Sequence, residues 1–170
     1  MIDLPKRYVP TGKFASGGMG QVVFCNDIHL ERQVAIKILK DLRERRRITD
    51  ELQALLKMRS KHVVQVYDVL NLDGDSIGIV QEFISGDDLF HERFSGLSLE
   101  SFLKVIWQIA TGIKDIHATG TIHRDIKPNN MKMDPEGIVK IYDFGLARDK
   151  GPDARTRGFV GTQGFAAPEL

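Results

Sequence analysis

Short apolar runs rich in valine and isoleucine open the chain. Gln21–Cys25 and Gln33–Leu39 read as strands, separated by the polar stretch Asn26–Arg32. From Leu42 to Arg59 the spacing changes. Ile48, Leu52, Leu55 and Arg59 recur every three or four positions, which predicts a helix with Ile48, Leu52 and Leu55 on one face. Strand patterns return at Val63–Leu70 and Ser76–Phe83, joined by a turn through Asn71, Asp73 and Gly74. Ser85-Gly86-Asp87-Asp88 then breaks the pattern and divides the chain into residues 1–84 and 85–170. Beyond it Phe102, Ile106, Ile109, Ile113 and Ile116 repeat at helical spacing, with Ser98 as N-cap and Gly120 as the stop. A polar loop follows, then two short strands around Asn130–Met133 and Val139–Tyr142, then a long loop. Strands first and helix after give an α+β class.

Composition narrows the functional classes. The 170 residues suit one domain, long enough to bury a core. Lysine and arginine total 24 against 23 aspartates and glutamates, a net charge of +1. That balance lacks the basic footprint of a nucleic-acid partner. Hydrophobic residues at 42% and charged residues at 28% are ordinary globular usage, which makes disorder and collagen-like repetition poor readings. The lone cysteine, Cys25, excludes an internal disulfide and an all-cysteine zinc site. No apolar run reaches the roughly 18 residues of a membrane helix. Met1–Pro10 carries Asp3, Lys6 and Arg7 in place of an apolar signal core. The expected setting is the cytoplasm.

Candidate chemistry begins at Gly17, Gly18 and Gly20. Glycines let backbone amides approach a phosphate, although a plain flexible hairpin has the same pattern. A dinucleotide fold would need a helix next, whereas Val22-Val23-Phe24 continues as strand. Lys37 lies within an apolar strand, in Val34-Ala35-Ile36-Lys37. It either meets an anion or snorkels to water from an edge strand. Glu51, on the predicted helix, is a candidate partner for it. The run His123-Arg124-Asp125-Ile126-Lys127-Pro128-Asn129-Asn130 sits in the loop after the long helix. There a carboxylate can accept a hydroxyl proton, a lysine can neutralise phosphate charge, and an amide oxygen suits magnesium. A polar helix-to-strand connection would look similar. Asp143-Phe144-Gly145 reads as a turn or, beside a phosphate site, as a source of a magnesium ligand.

In this order the glycine loop, Val-Ala-Ile-Lys, His-Arg-Asp, Asp-Phe-Gly and the closing Ala167-Pro168-Glu169 resemble the protein-kinase signature set. Each motif is modest alone, and their joint order disfavours a purely structural reading. The resemblance runs from about Tyr8 to Leu170. Its Gly-Gly-Met-Gly and Ile-Lys-Pro-Asn-Asn wording is most similar to bacterial eukaryotic-type Ser/Thr kinases. It implies a bilobal fold. Residues 1–84 would form an ATP-binding N-lobe of antiparallel sheet plus one helix. Residues 85–170 would form an incomplete helical C-lobe with catalytic loop and activation segment.

By that similarity Gly17, Gly18 and Gly20 cover the ATP phosphates, with Ala15 standing where the family has its first glycine. Val22 and Ala35 pack on adenine, and Lys37, held by Glu51, contacts phosphate. Gln81 is the gatekeeper, Glu82-Phe83-Ile84 the hinge, and Asp88 meets the ribose. Asp125 is the catalytic base, Lys127 neutralises phosphate charge, and Asn130 and Asp143 hold Mg2+. Lys127 and Gly161-Thr162 imply Ser/Thr hydroxyls of proteins as substrate; Phe165 replaces the commoner tyrosine. Thr156, between Arg155 and Arg157, is the expected autophosphorylation site, sensed by Arg124. Thr162 is the second candidate for that phosphate, with a structural role, contacting Asp125 and Lys127, as the preferred expectation.

Other residues have plainer readings. Arg43, Arg45, Arg46 and Arg47 are diluted by acidic neighbours and read as a solvated helix start, with a dock for the phosphorylated activation loop as the functional alternative. His123 is expected in the core under Phe144, His117 on a helix surface, Cys25 in a strand, and Trp107 in core or lobe packing. In the family, further helices follow Ala-Pro-Glu. The expectation is therefore a partial catalytic domain with apolar surface open on the 98–120 helix. The alternative is a non-catalytic nucleotide-binding regulatory module that docks a partner protein. A small-molecule phosphotransferase is disfavoured by Lys127 and by the Gly-Thr to Ala-Pro-Glu segment.

Overall fold

The computed structural model describes residues 3–17, 20–39, 52–73, 76–91, 94–144 and 165. The chain forms two compact units. One is Met1–Lys57 with Gln65–Phe83, and the other is Met58–Val64 with Ile84–Leu170.

The first unit is built on β1 (Tyr8–Gly17), β2 (Gly20–Asp27), β3 (Arg32–Leu39), β4 (Val66–Asn71) and β5 (Ile77–Glu82). They pair in the order β1-β2-β3-β5-β4, every neighbour antiparallel. β3 is the middle strand, and Val34 to Leu39 are all buried. Its alternation sends Val34, Ile36 and Ile38 into a core with Tyr8, Cys25 and Val80. Burial also pushes the Cys25 thiol pKa up. Asp27, whose side chain is fully shielded, ties the sheet to the N-terminal segment. Its two oxygens accept from Arg7 Nε and Nη2, both at 2.7 Å. Residues 52–57 are helical (α1), with Leu52 and Leu55 buried one turn apart. The predicted helix ran on to Arg59, but the described helix stops at Lys57. Ile48 and the arginines at 43 and 45–47 lie outside the described residues.

The second unit explains that stop. Met58–Val64 leaves the helix to run along β8 (Val139–Ile141). Ile141 N–H donates to the His62 carbonyl (2.9 Å), Val64 N–H donates to the Ile141 carbonyl (2.8 Å), and Val63 makes a parallel bridge to Ile141. His62 Nδ1 donates to the Val139 carbonyl at 3.0 Å. The strand expected from Val63 therefore begins only at Val66, because residues 62–64 are already engaged. β6 (Asp87–Asp88), β7 (Met131–Met133) and β8 make a three-stranded antiparallel sheet in that order. Asn130, expected in a strand, instead closes a single 3-10 turn, Pro128–Asn130, that Pro128 starts.

The long helix α2 spans Leu99–Ala118. Ser98 Oγ accepts from Ser101 N–H, and Gly120 follows the helix at φ +73°, a left-handed geometry glycine adopts without strain. Val105, Gly112 and Ile116 face inward. Gly112 has no room for a side chain, since a Cβ there would lie 2.8 Å from the His62 carbonyl oxygen and 2.9 Å from Ile141 Cδ1. Trp107 departs from expectation. It is 65% exposed, and its ring stands edge-to-face with that of His62 at 5.8 Å between centroids. The two turns of helix before it carry Leu99, Phe102, Leu103 and Ile106, all exposed. No helix among the described residues is long and apolar enough to cross a membrane.

Candidate active site

In the first unit the strand register gathers the expected nucleotide residues on one face. Ala15 pairs with Val22, and Val22 with Lys37; Ala35, two residues before Lys37, pairs with Gln81. Directly paired residues share a sheet face, as do residues two apart, so all five are presented together. Gly17 and Gly20 pair where β1 turns into β2. Gly18 lies outside the described residues. Lys37 is 5% exposed in the middle strand, which removes the edge-strand reading of this lysine. Glu51 lies outside the described residues. Glu82 N–H donates to the Gln65 carbonyl (2.9 Å), and its carboxylate accepts from Gln65 N–H (3.2 Å).

In the second unit the loop after α2 converges on Asp125, which is 4% exposed. Lys127 Nζ lies 3.0 Å from Asp125 Oδ2. Asn130 Nδ2 donates to the same Oδ2 (2.9 Å) and to the Asp125 carbonyl (2.8 Å). Both amide hydrogens of Asn130 thus go to Asp125, and the amide oxygen is turned elsewhere as a hard donor. The loop rests on His123, which is buried with its ring 4.7 Å from that of Phe144. Asp125 N–H donates to His123 Nδ1 (3.3 Å), so Nε2 carries the proton and donates to the Tyr142 carbonyl (2.9 Å). His117 is on the helix surface.

Backbone bonds bring the two expected metal ligands together. Tyr142 N–H donates to the Asn130 carbonyl at 2.9 Å, directly beyond the Met131–Ile141 pair of β7 and β8. Asp143 is the next residue. Asp143 and Arg124 have φ values of +62° and +68°, a region non-glycine residues occupy when their surroundings hold them there. An amide oxygen and a carboxylate are the ligand types magnesium takes when phosphates and water complete its shell. No cluster of three or more His, Cys, Asp or Glu suited to a metal occurs among the described residues.

Asp88 sits on β6 opposite Lys132 of β7. Its Oδ1 accepts from the Tyr142 hydroxyl at 2.7 Å and lies 3.8 Å from Lys132 Nζ. The same hydroxyl is 2.7 Å from the Asn129 carbonyl. Burial, and then the bond to Asp88, raise the Tyr142 pKa far above its usual value, so the hydroxyl stays a donor. Sequence reasoning missed this link, for which a tyrosine before Asp-Phe-Gly is the sole local trace. Gly145, Thr156, Thr162 and Ala167-Pro168-Glu169 lie outside the described residues; Phe165 is half exposed.

A family model described as "Protein kinase domain" matches residues 8–170. PknA of Corynebacterium glutamicum, a serine/threonine-protein kinase, is 40% identical over 167 residues, covering 90% of this chain and 35% of that protein. PknA of Mycobacterium tuberculosis is 34% identical over 181 residues, covering 99% of this chain and 42% of that one. Among solved structures, Rad53 1-466 in complex with AMP-PNP matches with a TM-score of 0.73 and 31% identity, over 83% of this chain and 39% of that chain. The chain spans less than half the length of these relatives. With the family match running over nearly its whole length, the chain belongs to the protein kinase domain family.

Proposed function

We propose that this chain is the catalytic part of a cytoplasmic serine/threonine protein kinase that transfers the γ-phosphate of ATP to Ser/Thr hydroxyls of proteins. The observation that carries the reading is the buried Asp125 carboxylate meeting Lys127 Nζ at 3.0 Å and Asn130 Nδ2 at 2.9 Å. Asp125 orients the attacking hydroxyl and takes its proton. Lys127 neutralises charge on the transferred phosphoryl group, and phosphoryl transfer depends chiefly on such positioning and charge compensation. The Asn130 amide oxygen and the Asp143 carboxylate would hold Mg2+, which when bound supplies positive charge to the phosphate oxygens.

On the first unit, Lys37 contacts phosphate with Glu51 as its partner, beneath the backbone of Gly17, Gly18 and Gly20. Val22 and Ala35 pack on adenine. The Glu82 carbonyl meets the adenine edge, its N–H being committed to Gln65. On the second, the Ile84 backbone meets the adenine edge. Asp88 keeps Oδ2 without a partner among the described residues, and that oxygen meets the ribose hydroxyls. Phosphate added to Thr156 is read by Arg124.

The test is incubation with Mg-ATP and casein, with transfer read by mass spectrometry. Wild type transfers phosphate. Asp125→Asn loses about 10²–10⁴-fold in rate, the usual weight of general-base catalysis, and Asp143→Asn loses transfer. No transfer from folded wild type refutes the reading. A second reading has one observation in its favour, the exposed apolar run of Leu99, Phe102, Leu103, Ile106 and Trp107 on α2. It makes the chain a nucleotide-binding module that docks a partner protein. Nucleotide binding without transfer would support it.

A further inference from the structure

Tyr142 makes contacts that the proposed chemistry does not use. Its N–H holds the Asn130 carbonyl at 2.9 Å, and its hydroxyl is shared between the Asn129 carbonyl and Asp88 Oδ1, each at 2.7 Å. One side chain and its own backbone therefore grip two consecutive residues, Asn129 and Asn130. The C-terminal neighbour of Tyr142 is Asp143, in a left-handed conformation at φ +62°. Asp88 is fixed in turn. It sits in register with Lys132 on β7, its Oδ1 lies 3.8 Å from Lys132 Nζ, and that ammonium is 6.0 Å from the Tyr142 ring centroid.

We infer that Tyr142 is a positioning residue whose hydroxyl, anchored on Asp88 and the Asn129 carbonyl, sets the spacing between Asn130 and Asp143 for Mg2+. The inference rests on the kinase reading and adds to it a residue that touches neither nucleotide nor metal. The physical reason is leverage. The backbone bond at 2.9 Å fixes where the chain passes Asn130 but leaves rotation about it. The hydroxyl, at the far end of a rigid ring, removes that rotation. A residue held in a sparsely populated conformation depends on such restraint, because the relaxed alternatives are more numerous. Without the hydroxyl, Asp143 explores them and meets the metal less often. Outer groups that orient ligands in this way are commonly worth 10-fold or more in metal affinity.

The experiment measures ADP binding by titration calorimetry, once in Mg2+ and once in EDTA, and takes the ratio of the two affinities as the magnesium gain. Wild type shows a gain, and Asp143→Asn loses it. Tyr142→Phe is expected to cut the gain about tenfold and leave the EDTA affinity unchanged. Asp88→Asn keeps an acceptor at Oδ1 and is expected to retain the gain. Asp88→Ala reduces it, and because the gain is a ratio, a weaker hold on the ribose affects both affinities alike and cancels. Asp88→Ala also stands in if Tyr142→Phe does not fold. A full gain in Tyr142→Phe, or equal losses with and without metal, would overturn the inference and leave the kinase reading standing. A wild-type chain whose ADP affinity ignores Mg2+ would sink both, and that result differs from either of the former.

Discussion

Gly112→Ala sets two effects of opposite sign against each other. In an isolated helix, alanine in place of glycine adds about 1 kcal/mol of stability. Here the added methyl would stand 2.8 Å from the His62 carbonyl oxygen, 2.9 Å from Ile141 Cδ1 and 3.2 Å from His62 Cβ. Ile141 Cδ1 can swing away. The carbonyl is main chain and cannot move freely, because it accepts the Ile141 N–H at 2.9 Å. Overpacking of this kind costs roughly 1–3 kcal/mol, and loosening the hydrogen bond forfeits part of about 1 kcal/mol more. At the middle of these ranges the clash wins by about 1–2 kcal/mol, which for a chain of this size lowers the Tm by about 2–8 °C. Thermal unfolding followed by far-UV circular dichroism reads the shift. Hydrogen exchange at the Ile141 and Val64 amides reads its location, and both should speed up. Lys114→Ala, at an exposed position of the same helix, is the control and should stay within about 0.5 kcal/mol. A Gly112→Ala chain with raised Tm and unchanged exchange would refute the packing argument.

Three further outcomes are expected. Ala15→Gly removes a methyl from the sheet face that carries Val22 and Lys37 and should lower the apparent KM for ATP about threefold, roughly 0.7 kcal/mol; a raised KM contradicts this. Asp27 is held below the usual carboxylate range, first by its hydrogen bonds from Arg7. Its contribution is complete above the ordinary aspartate value of about 4 and disappears as pH falls through the lowered folded value. Urea midpoints of wild type and Asp27→Asn should therefore converge on acidification, and midpoints that stay parallel would contradict the assignment. In a kinase-active preparation, phosphate should appear on Thr156 by mass spectrometry and be absent from Thr156→Ala; an active enzyme without it rules this site out.

Much of the second unit was legible because α2 declares itself. Its apolar spacing, Ser98 and Gly120 act locally, and local signals are what a sequence carries. The strands were legible for the same reason, as valine and isoleucine runs between turns. The convergence on Asp125 was readable as a set of suitable groups, but not as the bond from Asn130 Nδ2 to Asp125 Oδ2. The paths of residues 58–64 and of the Tyr142 hydroxyl were not legible at all. Each depends on a partner far along the chain, Ile141 for one and Asp88 for the other. Trp107 misled for a related reason. A large apolar residue on a helix suggests burial, but its exposure is decided by what lies opposite, which helical spacing does not encode.

The excursion of Met58–Val64 has a consequence for taking the protein apart. The chain passes between its two compact units after Lys57, after Val64 and after Phe83. A single scission at Phe83 would therefore strand residues 58–64 on the wrong fragment. The remainder, from Ile84 onward, would be left with the Ile141 N–H and the carbonyls of Val139 and Ile141 stripped of their bonds to His62 and Val64. Val139 and Ile141 are fully buried in the intact chain, so this groove would open to water or to any strand able to fill it. Two such fragments made separately would each be incomplete. Mixed, they would find each other through the short strap, and a synthetic peptide of residues 58–64 would compete for the same groove.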